Sequence, residues 1–89
     1  MTPHRNTSSR APSILAAAIL TKLGYNVVFF VFEQEQHMAV GVDIDAIGMN
    51  WEYRAKKYYY LETTGEKWQL GWLPSQYMTT QPVILPVSR

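Results

Sequence analysis

A histidine and a glutamate on consecutive strand-like segments are the residues of this chain best suited to chemistry. His37 opens His37-Met38-Ala39-Val40-Gly41-Val42-Asp43, and Glu62 lies in Tyr58-Tyr59-Tyr60-Leu61-Glu62-Thr63-Thr64. An imidazole takes up and returns a proton near neutral pH. A carboxylate beside it fixes the ring tautomer and stabilises its charged form. Upstream lies an Ala-rich segment, Ser13-Ile14-Leu15-Ala16-Ala17-Ala18-Ile19-Leu20, closed by Lys22-Leu23-Gly24-Tyr25. Helix, then His strand, then acid strand is the chain order of a thiol triad in which the helix start carries the nucleophile. The His and the acid are here, but the 89 residues contain no cysteine. That absence limits what the pair does alone.

The elements that must position the pair are legible in the hydrophobic pattern. Leu15, Ile19 and Leu23 share a helical face at i, i+4, i+8, and Ile14 and Ala18 widen it, so this face is expected to pack on the sheet. Ser8 or Ser9 reads as the helix cap, with Pro12 in the first turn and Gly24 in the left-handed position after the last. Val27–Phe32 is an unbroken run of β-branched and aromatic residues, which suits a strand buried on both faces. Glu33-Gln34-Glu35-Gln36 reads as a polar turn. In the next strand Met38, Val40, Val42 and Ile44 point one way, and His37, Ala39, Gly41 and Asp43 the other. The small residues beside His37 suggest room for the helix to approach that face. Residues 51–53 and 57–64 read as a hairpin around Arg54-Ala55-Lys56, with Tyr58, Tyr60 and Glu62 on one face. Residues 67–70 read as a short strand, residues 71–77 as a turn, and Pro82 and Pro86 as marks of an extended or edge segment.

Composition removes several function classes. Hydrophobic content of 47% and aromatic content of 13% suit a small globular domain. A net charge of +1 supplies no long-range field, which argues against nucleic acid as a partner. Without cysteine there are no disulfides and no thiolate metal ligands. His4 and His37 are too few for a structural zinc site, and Asp43, Asp45 and Glu52 are too scattered to hold a metal, so no cofactor is expected. No apolar run is long enough to span a bilayer, and no membrane association is expected. Arg5 and Arg10 before residues 14–20 only faintly mimic a signal peptide, since Lys22 follows at once. No compartment is indicated, and the cytoplasm is the default.

Four stretches taken together resemble the bacterial and archaeal transglutaminase-like domains, within the wider group of papain-like thiol chemistry. They are Leu23-Gly24-Tyr25-Asn26-Val27-Val28, His37-Met38-Ala39-Val40-Gly41-Val42, Lys57-Tyr58-Tyr59-Tyr60-Leu61-Glu62-Thr63-Thr64-Gly65 and Leu70-Gly71-Trp72-Leu73-Pro74. The resemblance runs from about residue 13 to residue 77. It implies a helix that begins with a nucleophilic cysteine, a strand histidine as base and an acid on the next strand. Residue by residue, His37 matches the histidine and Glu62 the acid. The cysteine does not carry over: where the family has an Asp-Cys-x-Asp type stretch, this chain has Ser8-Ser9-Arg10-Ala11. Aligned without gaps, Ser9 takes the nucleophile's position. A serine there needs far stronger activation than a thiol, because its hydroxyl is much less acidic.

The resulting expectation is an α+β domain: one N-terminal helix on an antiparallel sheet of about five strands, a truncated transglutaminase-like fold. Residues 1–11 are expected to form a flexible leader, residues 12–80 the partial domain and residues 81–89 an extended tail. The function implied is a catalytically inactive remnant or interaction module that self-associates through surface normally covered by a missing upstream segment. The alternative is a thiol acyl transferase or peptidase whose cysteine lies in a longer form or a partner chain. Both readings require His37 and Glu62 to meet at about 3–4 Å.

Overall fold

The computed structural model describes residues 4–63, 68–71 and 81–87; of residues 4–9 it describes the backbone alone. Among the described residues one helix, α1 (His4–Lys22), is followed by six strands: β1 (Val27–Phe32), β2 (His37–Val42), β3 (Asn50–Tyr53), β4 (Lys56–Glu62), β5 (Gln69–Leu70) and β6 (Val83–Pro86). They form one antiparallel sheet ordered β3-β4-β2-β1-β6, with β5 also paired to β4. The fold is therefore α+β, a single helix on an antiparallel sheet. The expected 67–70 strand is shorter at its start, and of the expected turn over residues 71–77 all but Gly71 lies outside the described residues.

β1 is the strand with core on both sides. Val28, Phe30 and Phe32 enter one hydrophobic cluster, while Val27 and Phe29 enter the other. Its pairing with β2 sets Phe30 across from Ala39, Phe29 across from Val40 and Phe32 across from His37. That register puts His37 on the Phe30 and Phe32 side, and Met38 and Val40 on the opposite side.

The sheet curls, and ring contacts show how far. β1 and β3 are separated by β2 and β4, so in a flat sheet they would lie about 14 Å apart. The Phe30 and Trp51 ring centroids are instead 4.9 Å apart, and Phe32 and Trp51 are 5.9 Å apart. Trp51 therefore folds over the inner face and closes a core of Val28, Phe30, Phe32, Ala39, Tyr58 and Tyr60. A two-residue turn joins β3 to β4. Arg54 and Ala55 both have left-handed φ, 53° and 68°, the pattern of a hairpin turn whose twist matches the strands.

α1 covers the outer face, and here the structure corrects three expectations. The helix begins at His4, so Ser8 and Ser9 lie within it rather than capping it, and Pro12 sits in its interior. Its buried stripe is Ser13, Ala16 and Ala17, extended by half-buried Leu20. Ile14, Leu15, Ile19 and Leu23, expected to be core, are between 41 and 68% exposed. The physical reason is size: Val27, Val40 and Leu61 already fill the sheet face, and only small side chains fit between them and the helix backbone. Finally, the helix packs on the Met38 and Val40 side, away from the face that carries His37. The small residues of β2 make room for a ring instead. A Cβ built on Gly41 would stand 2.5 Å from Cζ of Phe30 and 2.8 Å from Cγ2 of Val28.

Candidate active site

β2 and β4 pair antiparallel with Val40 across from Leu61 and Gly41 across from Tyr60. Continued one step, that register sets Ala39 across from Glu62. His37, two residues further along β2, then reaches Glu62 diagonally, within range for long side chains. The two do meet: Nε2 of His37 lies 3.3 Å from Oε1 of Glu62. Glu62 is 5% exposed, and the His37 side chain is 11% exposed.

Tyr60 is the third member. Its hydroxyl donates to Oε1 of Glu62 and lies 3.1 Å from Nε2 of His37. With that hydroxyl proton committed to the carboxylate, Nε2–H of His37 is the complementary donor, shared between the Glu62 carboxylate and the Tyr60 oxygen. Two donors on one carboxylate oxygen hold the ring in the Nε2–H tautomer. The Tyr60 role was visible in part, since strand alternation already puts Tyr60 beside Glu62, two residues away. Its hydroxyl as a hydrogen-bond partner was the part missed.

The helix contributes differently from the expected nucleophile position. Ser9 is helical, one turn before Ser13, and its side chain lies outside the described residues. Ser13 is fully buried; its Oγ donates to the Met38 carbonyl at 3.0 Å and lies 3.1 Å from Oγ1 of Thr63. Thr63 follows Glu62 on the opposite face, so Ser13 clamps the acid strand to the His strand from behind. Spacing gave a signal for this: Ser13, Ala16, Ala17 and Leu20 follow i, i+3, i+4, i+7. Where the helix passes the end of the sheet, Arg10 and His37 line one cavity of about 360 Å³ with Val31, Phe32, Glu33, Gln36, Met38 and Leu85. The helix and the dyad thus share a groove at the strand ends while occupying opposite faces of the sheet.

Among the described residues, no group of three or more His, Asp or Glu side chains could hold a metal ion. No helix among them is long and apolar enough to cross a membrane. Comparison with protein-family models, with curated proteins and with solved structures gives no match.

Proposed function

We propose that this chain carries the base-and-acid half of a thiol acyl-transfer centre of transglutaminase-like type and is itself catalytically inactive, serving as an interaction module. One observation carries the reading: a buried carboxylate, a tyrosine hydroxyl and a histidine are hydrogen-bonded to one another in a chain with no thiol. Burying a carboxylate costs stability unless it is paired, and a purely structural sheet fills the position with an apolar side chain. Fixing Nε2 through an acid is what a nucleophile's base requires. The interaction role is supported by α1 and the turn after it, where Ile14, Leu15, Ile19 and Leu23 are exposed. Large apolar side chains gathered on an exposed surface mark an interaction site more often than a solvated one.

The test is to supply the missing thiol. Ser9→Cys puts it at the position the resemblance assigns to the nucleophile. Its alkylation by iodoacetamide at neutral pH is expected to be at least about tenfold faster than in Ser9→Cys with His37→Gln, because the thiolate is the reactive form. Equal rates in the two variants would show that His37 does not serve that position. The unaltered chain is expected to hydrolyse no amide or ester above background. Turnover abolished by Ser9→Ala would instead favour a serine enzyme.

A further inference from the structure

The groove at the strand ends has a composition of its own. Its apolar wall is Val31 and Met38, cross-strand partners, with Leu85 from β6. Leu85 pairs with Phe29, two residues before Val31, so the three belong to one continuous sheet face. Around this wall stand one cation, Arg10, one anion, Glu33, and the amide of Gln36, all exposed. Its volume of about 360 Å³ lies at the small end of ligand pockets. Arg10 is also set apart on its helix: the next charged residue along α1 is Lys22.

We infer that this groove binds a free aliphatic amino acid or the like-sized end of a short peptide, in zwitterionic form. A planar carboxylate is the partner that a guanidinium engages in two parallel hydrogen bonds. Glu33, with the Gln36 amide beside it, offers the acceptors an ammonium needs. An aliphatic side chain covers Val31, Met38 and Leu85, and so removes apolar surface from water. A lone anion would leave Glu33 opposing it, and a lone cation would leave Arg10 opposing it. A molecule bearing both charges satisfies both residues. The inference stands on the groove and does not require His37 to act as a base. His37 lines the same cavity, so occupancy is expected to register at its ring.

The experiment is a heteronuclear NMR titration of the full chain with L-leucine, leucinamide and 4-methylpentanoate. L-Leucine is expected to give saturable shifts at the methyls of Val31, Met38 and Leu85 and at the His37 ring, half-saturating at or below about 10 mM. Leucinamide lacks the carboxylate and 4-methylpentanoate lacks the ammonium, and each is expected to bind at least about tenfold more weakly. Arg10→Gln is expected to weaken L-leucine by a similar factor and to leave leucinamide and L-leucine nearly equal. Arg10 is exposed, so this variant keeps the fold, and an unchanged spectrum elsewhere verifies it. Shifts that never saturate, or analogues that bind as well as L-leucine, would overturn the inference. If L-leucine fails while the Ser9→Cys thiol keeps its dependence on His37, the ligand class falls and the dyad reading stands.

Discussion

The two faces of the sheet solve the same packing problem in opposite ways. The inner face is filled by large rings, Phe30, Phe32, Tyr60 and Trp51, and the sheet curls until it covers them itself. The outer face is covered by a helix whose inward side chains are Ser13, Ala16 and Ala17, and whose large side chains point away. One core is closed by the chain's own aromatic residues. The other is thin, and the apolar residues of its helix remain uncovered. The polar set of His37, Tyr60 and Glu62 belongs to the first face, where rigid rings surround it.

The largest difference between the faces should appear on truncating Tyr60. It is fully buried, stacks with Phe30 at 6.2 Å between centroids, and donates to Glu62. Tyr60→Ala is expected to cost about 3–5 kcal/mol, from the cavity and from a carboxylate deprived of a donor. Chemical denaturation measures it. A cost below about 1 kcal/mol would mean that the inner face is not the main core.

Gly41 is next. Any side chain there meets Phe30 and Val28, so Gly41→Ala is expected to destabilise by about 1–3 kcal/mol through overpacking. A neutral or stabilising result would show that the Phe30 ring has room to move. The residue is not in a left-handed conformation, so the effect isolates space from backbone strain.

Much of this architecture was legible because strands write their pattern in alternation. Val27–Phe32 as a two-sided strand, His37 and Glu62 on one face, and the hairpin before Lys57 all follow from period-two reading. The helix was misread because hydrophobicity and size point to different faces of it. Leu15, Ile19 and Leu23 form the more apolar stripe, yet a close helix–sheet contact selects Ala16 and Ala17. Ala39 and Gly41 were misread for the same reason, since smallness signals a close neighbour without saying which one. The neighbour is Phe30, on the paired strand β1 and opposite Ala39. The Arg54-Ala55 turn likewise lacks the Asn-Gly signature that announces such a turn in sequence.

On the outer face, Ser13→Ala is expected to cost about 1–2 kcal/mol. It removes the donor to the Met38 carbonyl and the partner of the Thr63 hydroxyl inside a buried contact. The His37 resonances should move little, because Ser13 acts from the other side of the sheet. A shift at His37 as large as that caused by Glu62→Gln would mean that the two faces are coupled through β4, and the comparison would then fail.

The smallest effect is expected at Leu15, and it is the most informative about the uncovered helix. Leu15 is 59% exposed, so Leu15→Gln removes little buried surface from a single chain. At dilute concentration the change in stability is expected to stay within about 0.5 kcal/mol. By the same comparison Ala17, 2% exposed, cannot accept a larger side chain without prising the helix from the sheet. If the outer surface of α1 is where copies of the chain associate, stability of the unaltered protein should rise with its concentration, and Leu15→Gln should remove that dependence. Denaturation midpoints across a hundredfold range of concentration, alongside sedimentation, read both quantities. A midpoint independent of concentration in both proteins would leave the helix surface exposed in a monomer and would remove self-association from the proposed role.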